Sequence, residues 1–201
     1  WGHKGSATEF SDDEYYKTIC GTQRIEEMIV RHGEIMAYRN PEKNIGLIVD
    51  EWGCWYDVEE GTNPGFLYQQ NTMRDAIVAG INLNIFNNHS KRVMMANLAQ
   101  VVNVLQAVIL TDGDSMVKTP TWHVFKMYLD HQDAELVRTS CAVPMLDEEG
   151  KTIPMVTSSV SVKEGKTFVT LTNCSLSEEC EVLLDSESGI INEATGEIIC
   201  T

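Results

Sequence analysis

Two carboxylates and two indoles crowd one short stretch of this chain, Asp50-Glu51-Trp52-Gly53-Cys54-Trp55, directly after the apolar run Ile45-Gly46-Leu47-Ile48-Val49. A carboxylate where an apolar strand runs out can serve as nucleophile, general base or metal ligand; it can equally cap the next helix or pair with an arginine. Indole faces beside it suit a sugar ring, whose C–H faces stack on aromatics while its hydroxyls take polar partners. Asp50 and Glu51 are adjacent, so a regular strand sends them to opposite faces. A second stretch, Met95-Ala96-Asn97-Leu98-Ala99-Gln100, adds Asn97 and Gln100, amides that donate and accept as orienting a polyol requires. Taken singly, these are amides that a loop commonly satisfies for itself. Other chemistries find little support. His89, His123 and His131 have no partner four residues away, and the six cysteines contain no C-x2-C pair, so no metal site is expected. Gly61-Thr62-Asn63-Pro64-Gly65 lacks the Lys-Ser/Thr of a phosphate cradle. No cofactor is expected either.

These residues need elements to position them. Ser11-Asp12-Asp13-Glu14 offers a helix N-cap, Ile25, Met28, Ile29, His32, Ile35 and Met36 recur at helical spacing, and Asn40-Pro41 ends the helix. Ile45 to Val49 reads as a strand apolar on both faces, as in a parallel sheet covered by helices. Met73, Ala76, Ile77, Gly80 and Ile81 mark a second helical stripe, and Val93-Met94-Met95-Ala96 reads as the next strand. Thr119-Pro120 opens a last helix with Val124, Phe125, Tyr128 and Leu129 on its buried face. Alternating helices and strands point to part of an α/β barrel or a doubly wound sheet. In a barrel, strand C-termini converge on one open rim, which would bring Glu51, Asn97 and Gln100 together.

Beyond residue 132 the pattern changes. Residues 133–201 contain neither Trp nor His, and Val160-Ser161-Val162, Thr167 to Asn173 and Glu181-Val182-Leu183-Leu184 read as short strands separated by turns such as Glu164-Gly165-Lys166. That spacing suggests an antiparallel β-sandwich. With 201 residues and 43% hydrophobic side chains the chain can build a core, and its net charge of −15 repels phosphate backbones and anionic lipid. Neither a nucleic-acid nor a membrane partner is expected, and the longest apolar stretch, Val101 to Leu110, is broken by Asn103 and Gln106. The cysteines are expected to be reduced structural thiols. Both ends look cut, since Trp1 opens the sequence and Gly196 to Thr201 ends inside a strand-like run. The chain therefore reads as a fragment, with localisation left open.

Several runs in fixed order carry a resemblance. Leu47-Ile48-Val49-Asp50-Glu51-Trp52-Gly53, then Gln69-Gln70 ahead of Arg74-Asp75-Ala76, then Met95 through Val104, then Thr119-Pro120-Thr121-Trp122-His123-Val124-Phe125 resemble the retaining α-L-arabinofuranosidases of glycoside hydrolase family 51. The likeness is dense over residues 1–132 and looser through Leu171-Thr172-Asn173. It implies a fold of two classes, α/β plus all-β: residues 1–132 as the last part of a (β/α)8 TIM barrel and residues 133–201 as a truncated antiparallel β-sandwich. It implies an enzyme that removes terminal arabinofuranosyl groups from arabinan- and arabinoxylan-type oligosaccharides and polysaccharides, often as a homo-oligomer. Glu51 matches the family's nucleophile after the seventh strand, Trp55 an aromatic lining the cleft, and Gln100 an amide near the bound furanose. Trp52 and Asn97 join them as expected substrate-binding residues. Trp1-Gly2-His3-Lys4 falls where the family has its sixth βα loop, and no role is carried onto His3. The family's acid/base Glu lies in an Asn-Glu pair on an earlier strand; the pair here, Asn192-Glu193, lies in the second segment and does not match it. Retaining chemistry needs two carboxyl groups about 5–5.5 Å apart, so the chain alone is expected to be inactive. From the residues alone, a barrel glycosidase of other sugar specificity, or a non-catalytic carbohydrate-binding or assembly module, stays open. Phe168 is the sole aromatic of the second segment, which favours structural support there.

Overall fold

The computed structural model describes residues 4–42, 45–148, 150–187, 189 and 191–200. Helix α1 (Asp12–Arg39) begins at Ser11, whose Oγ accepts from the Glu14 N–H at 3.3 Å while the Glu14 carboxylate accepts from the Ser11 N–H at 2.9 Å. This reciprocal cap satisfies two donors that a helix start otherwise leaves open. The helix ends at Asn40, just before Pro41. Of the expected stripe, Ile29 is buried, but Met28 and Ile35 are about half exposed, at 52% and 55%. The buried face runs instead through Tyr15, Ile19, Cys20 and Ile29, because α1 packs on the helix over residues 73–88 and the strand over residues 151–154.

Strand β1 (Leu47–Trp52) and strand β2 (Val93–Leu98) pair in parallel, joined through helix α2 (Met73–Asn88). A hairpin follows, β3 (Ile109–Asp112) with β4 (Ser115–Lys118), and then helix α3 (Pro120–Met127) capped by Thr119. The helix–strand–helix–strand–helix order is as expected, with the hairpin inserted. Helix α2 departs from the single stripe, since eleven of its residues are buried, Arg74, Asp75, Asn82 and Asn84 among them. It is the central element, with α1 and α3 against it and the later sheet packed on it as well. Leu129 lies past the end of α3 and is 66% exposed, so it is no part of the buried face expected for it.

The later sheet orders β5 (Glu135–Leu136), β8 (Val156–Lys163) and β9 (Lys166–Asn173), all antiparallel; β6 (Met145–Glu148) and β7 (Lys151–Pro154) form a separate hairpin. Glu164 and Gly165 turn β8 into β9 with φ of 52° and 77°, the left-handed pair that a tight hairpin uses. The strand expected at Glu181 to Leu184 does not form, and Leu183 is 92% exposed. An apolar run becomes a strand only where a ladder partner takes its backbone groups, and none reaches this segment among the described residues.

Side-chain amides of α2, from Asn84, Asn87 and Asn88, join helix to sheet. Asn84, buried to 1%, accepts at Oδ1 from Tyr128 Oη (2.8 Å), Ser159 Oγ (2.9 Å) and Thr170 Oγ1 (2.9 Å), and donates from Nδ2 to Thr157 Oγ1 (3.1 Å) and Thr172 Oγ1 (3.4 Å). The described residues therefore form a mixed α/β unit in which β8 and β9 dock on α2. No helix among them is long and apolar enough to cross a membrane.

Candidate active site on the rim of the parallel strand pair

Glu51 lies in β1, Asn97 in β2 and Gln100 two residues past the end of β2; all three are exposed. Leu47, Val49, Ala96 and Leu98 pack against the core, so Asn97 points away from it. Between Val49 and Trp52 β1 advances three residues while β2 advances two, from Ala96 to Leu98. Asp50 and Glu51 thus stand together against Asn97, and both are exposed. The strict alternation expected of these two carboxylates gives way to this bulge. Just past the strands, the Ala99 N–H donates to the Trp52 carbonyl at 3.0 Å, tying the segment after Glu51 to the segment before Gln100. The Ala99–Gln100 peptide bond is cis.

The two indoles part company. Trp55 is half-buried, with the Lys4 ammonium 4.3 Å from its ring centroid. Trp52 is 5% exposed, stacked on Phe125 with centroids 5.9 Å apart and edge-on to Phe86 at 5.5 Å. The expectation that Trp52 walls the pocket is corrected here: the bulge turns its side chain into the core, and it anchors the strand end from behind. Trp1 and His3 lie outside the described residues.

Beyond Trp52 the chain leaves the sheet, and side chains take over the role of a ladder. The Cys54 N–H donates to Gln106 Oε1 at 2.9 Å, the Tyr56 N–H donates to Gln69 Oε1 at 2.8 Å, and Gln69 Nε2 donates to the Cys54 carbonyl at 3.4 Å. Gln106 Nε2 reaches the Asp75 carbonyl at 2.7 Å and Thr121 Oγ1 at 3.3 Å. Gln106 and Gln69 are 0% and 1% exposed. Gly53 makes room for this arrangement: its φ is +123°, and a Cβ there would stand 3.2 Å from Gln106 Oε1 and from Leu98 Cδ1.

Below lies a buried charge pair by sequence, Arg74-Asp75. The Arg74 guanidinium is sandwiched between the rings of Phe10 (3.6 Å) and Tyr56 (3.9 Å) and donates to the carbonyls of Ser6 (2.8 Å) and Ala7 (3.3 Å). Burial pushes the Asp75 carboxyl up to about 6, against the opposing pull of the Thr72 N–H and of Arg74. Burial also drives the Cys54 thiol and the Tyr56 phenol far above their ordinary ranges, which leaves both neutral and Cys54 inert as a nucleophile.

Gln69, Arg74, Asp75, Gln106 and Thr121 were not singled out as site residues by sequence reasoning. The available signal was Gln106 itself, an amide inside the apolar run Val104-Leu105-Gln106-Ala107-Val108, which must find partners if that run is buried. Among the described residues no group of three or more His, Cys, Asp or Glu side chains is placed to hold a metal ion. A cleft of about 490 Å³ between α1, α2 and β8 holds none of Glu51, Trp55, Asn97 or Gln100.

A carboxylate and two amides thus stand exposed at the C-terminal ends of the adjacent parallel strands β1 and β2. Residues 50–199 match the family of α-L-arabinofuranosidase C-terminal domains, and the chain belongs to that family. An intracellular exo-α-L-arabinofuranosidase of Bacteroides ovatus is 42% identical over 200 residues, covering 98% of this chain and 39% of that protein. The crystal structure of the GH51 arabinofuranosidase from Xanthomonas axonopodis pv. citri superposes with a TM-score of 0.85 at 45% identity, over 89% of this chain and 36% of that one. The arabinose complex of an α-L-arabinofuranosidase from Thermotoga maritima shares the fold at a TM-score of 0.66 and 24% identity, over 82% of this chain and 36% of that one. The chain thus spans well under half the length of these relatives.

Proposed function

We propose that the full-length protein carrying this chain is a retaining glycosidase that removes terminal α-L-arabinofuranosyl groups from arabinose-containing oligosaccharides and polysaccharides, with Glu51 as its nucleophile. The observation that carries the reading is the exposed Glu51 and Gln100 at the ends of parallel neighbours, cross-tied by the 3.0 Å bond from Ala99 to Trp52. The names of the relatives support the substrate class. In this reading β1, α2, β2 and α3 are the last part of a (β/α)8 barrel, residues 1–132 belong to it, and residues 133–201 are part of a β-sandwich. Their support is the parallel β1–β2 pair joined through α2 and the antiparallel β5–β8–β9 sheet.

A Glu51 oxygen attacks the anomeric carbon as the bond to the leaving oxygen breaks, and a carboxylic acid from outside this sequence protonates that oxygen. The resulting glycosyl ester is hydrolysed by water deprotonated by the same second carboxylate. Trp55 supplies a stacking face, and Asn97 and Gln100 bond sugar hydroxyls. The test is made on the full-length protein with an aryl α-L-arabinofuranoside. Glu51→Gln lowers turnover about a thousandfold or more, ~4 kcal/mol in the barrier, while sugar binding persists. Azide added to Glu51→Ala restores turnover and yields a glycosyl azide of inverted configuration. Near-normal rates in the Glu51 variants, or an indispensable Asp50, refute the assignment. Homo-oligomerisation, which the resemblance implies, is checked by the solution mass of the full-length protein.

A further inference from the structure

We propose that Gln106, with Gln69 as its counterpart, is a positioning residue that sets the distance between the Glu51–Trp55 segment and the Gln100 segment; this rests on the proposed roles of Glu51, Trp55 and Gln100. Two strand ends that carry reacting and binding groups must hold a fixed spacing, yet the β1–β2 ladder stops at Trp52 and Leu98. Past that point the Ala99 N–H donates to the Trp52 carbonyl, and the Cys54 N–H donates to Gln106 Oε1 at 2.9 Å. Gln106 lies downstream of Gln100 and Cys54 upstream of Trp55, so this second tie closes the loop that holds both groups.

The chemistry of the site selects an amide. One end of Gln106 must accept from the Cys54 N–H, and the other must donate to the Asp75 carbonyl at 2.7 Å. A carbonyl can only accept, which fixes the orientation of the carboxamide. A carboxylate would set two acceptors face to face, and an aliphatic side chain would leave a buried donor and a buried carbonyl unpaired. The same amide group also reaches Thr121 Oγ1 at 3.3 Å, which bonds Asn71 Oδ1 at 3.0 Å. Gln106 therefore refers the position of Cys54 to the first turns of both α2 and α3. Gln69 completes the hold from the other side, through the Cys54 carbonyl and the Tyr56 N–H. Trp55 sits between these two clamped residues, and the close approach of Gln106 depends on the absence of a Cβ at Gly53.

The experiment uses the full-length protein labelled with 5-fluorotryptophan, the Trp55 resonance being assigned with Trp55→Phe. Gln106→Leu and Gln69→Leu are compared with Thr119→Val. That control removes buried bonds to the Ala107 and Val108 carbonyls (2.8 and 3.0 Å) in the same loop, together with the α3 cap bond from the Trp122 N–H (3.3 Å), without touching residues 53–56. Kinetics on an aryl α-L-arabinofuranoside are read well below each unfolding midpoint. Gln106→Leu and Gln69→Leu each lower kcat about 10–100-fold, as a displacement near 1 Å does, and shift the fluorine resonance of Trp55. Thr119→Val lowers the unfolding midpoint but keeps wild-type kcat and an unmoved resonance. Should Gln106→Leu fail to fold, Gln106→Glu, which keeps the acceptor for Cys54 and loses the donor to Asp75, is read in the same way. Wild-type kcat with an unmoved Trp55 in the glutamine variants overturns the proposal, as does an equal loss of kcat in Thr119→Val. If the wild-type protein has no arabinofuranosidase activity, the proposed function falls, and the clamp is judged on the Trp55 resonance alone.

Discussion

Two glycines inside helices should respond to alanine with opposite signs. Gly21, exposed in α1, has nothing within 4 Å of the position a Cβ would occupy. Gly80 lies in α2 against β9, where a Cβ would fall inside contact distance of Thr172 Oγ1 and 3.2 Å from its Cγ2. Alanine gains about 1 kcal/mol over glycine in a helix interior at either site, from reduced backbone freedom in the unfolded chain. At Gly21 that gain stands alone. At Gly80 the methyl group must push back Thr172, which is 7% exposed and bonded to Asn84, and displace a helix whose Gly80 carbonyl accepts from Tyr128 Oη at 3.0 Å. Overpacking of this kind costs about 1–3 kcal/mol, and a weakened Asn84–Thr172 bond adds about 1 kcal/mol. The net is a loss of about 1–3 kcal/mol. The assay is thermal unfolding of the full-length protein, followed by far-ultraviolet circular dichroism, where 1 kcal/mol moves Tm by about 2–4 °C in a unit of about 200 residues. Gly21→Ala should raise Tm by a few degrees and Gly80→Ala should lower it. A Gly80→Ala protein as stable as Gly21→Ala would refute the close docking of α2 on the sheet.

Other outcomes follow from buried polar groups. Asp75 has its carboxyl raised from 3.8 to about 6, so the native state holds its proton more tightly than the unfolded chain does. Its contribution is fully present below 3.8 and is lost as pH rises through about 6, on the order of 3 kcal/mol. Asp75→Asn removes that slope from a stability–pH profile taken by urea unfolding, and an unchanged slope refutes the assignment. Tyr128→Phe deletes bonds to Gly80 and Asn84 but leaves Asn84 Oδ1 its two hydroxyl donors, so it costs only about 1 kcal/mol. Asn84→Leu removes five bonds at once, leaves Tyr128 only the Gly80 carbonyl, and sets an apolar side chain among buried hydroxyls, so it should cost at least about 3 kcal/mol in the same measurement. The 201-residue chain by itself, assayed on the aryl arabinofuranoside, should show no turnover; measurable activity would place both carboxyl groups within it.

Local chemistry announced much of the fold. Ser11 with Glu14, and Thr119 with Pro120, are readable as helix starts because a cap is a contact between residues three apart. Glu164-Gly165 is readable as a turn for the same reason, since the left-handed backbone it needs is a property of two adjacent residues. Two misreadings concern partners distant in the chain. Glu181 to Leu184 has strand composition but no ladder neighbour, and the single stripe expected of α2 missed a helix covered on several sides. The β3–β4 hairpin, whose partners are local, begins at the end of the apolar run Val101 to Leu110, where that run masks the strand.

The site shows the same division more sharply. The exposed placement of Glu51, Asn97 and Gln100 at the ends of parallel neighbours was readable because strand ends in an α/β layout point to one rim, an inference that needs only element order. Trp52 was misassigned because an indole next to the expected nucleophile in sequence was taken to share its surroundings, whereas in the structure it packs on Phe86 and Phe125. Gln106 carried the opposite ambiguity. In the sequence it is a polar interruption that weakens an apolar run; in the structure its two ends meet a donor 52 residues away and an acceptor 31 residues away. Nothing in the spacing marks that match, because the partners are backbone groups that every residue possesses. A buried amide in such a run is therefore a question about which unpaired backbone lies opposite. Here the answer is the segment that leaves the sheet beside the proposed nucleophile, where no strand remains to hold it.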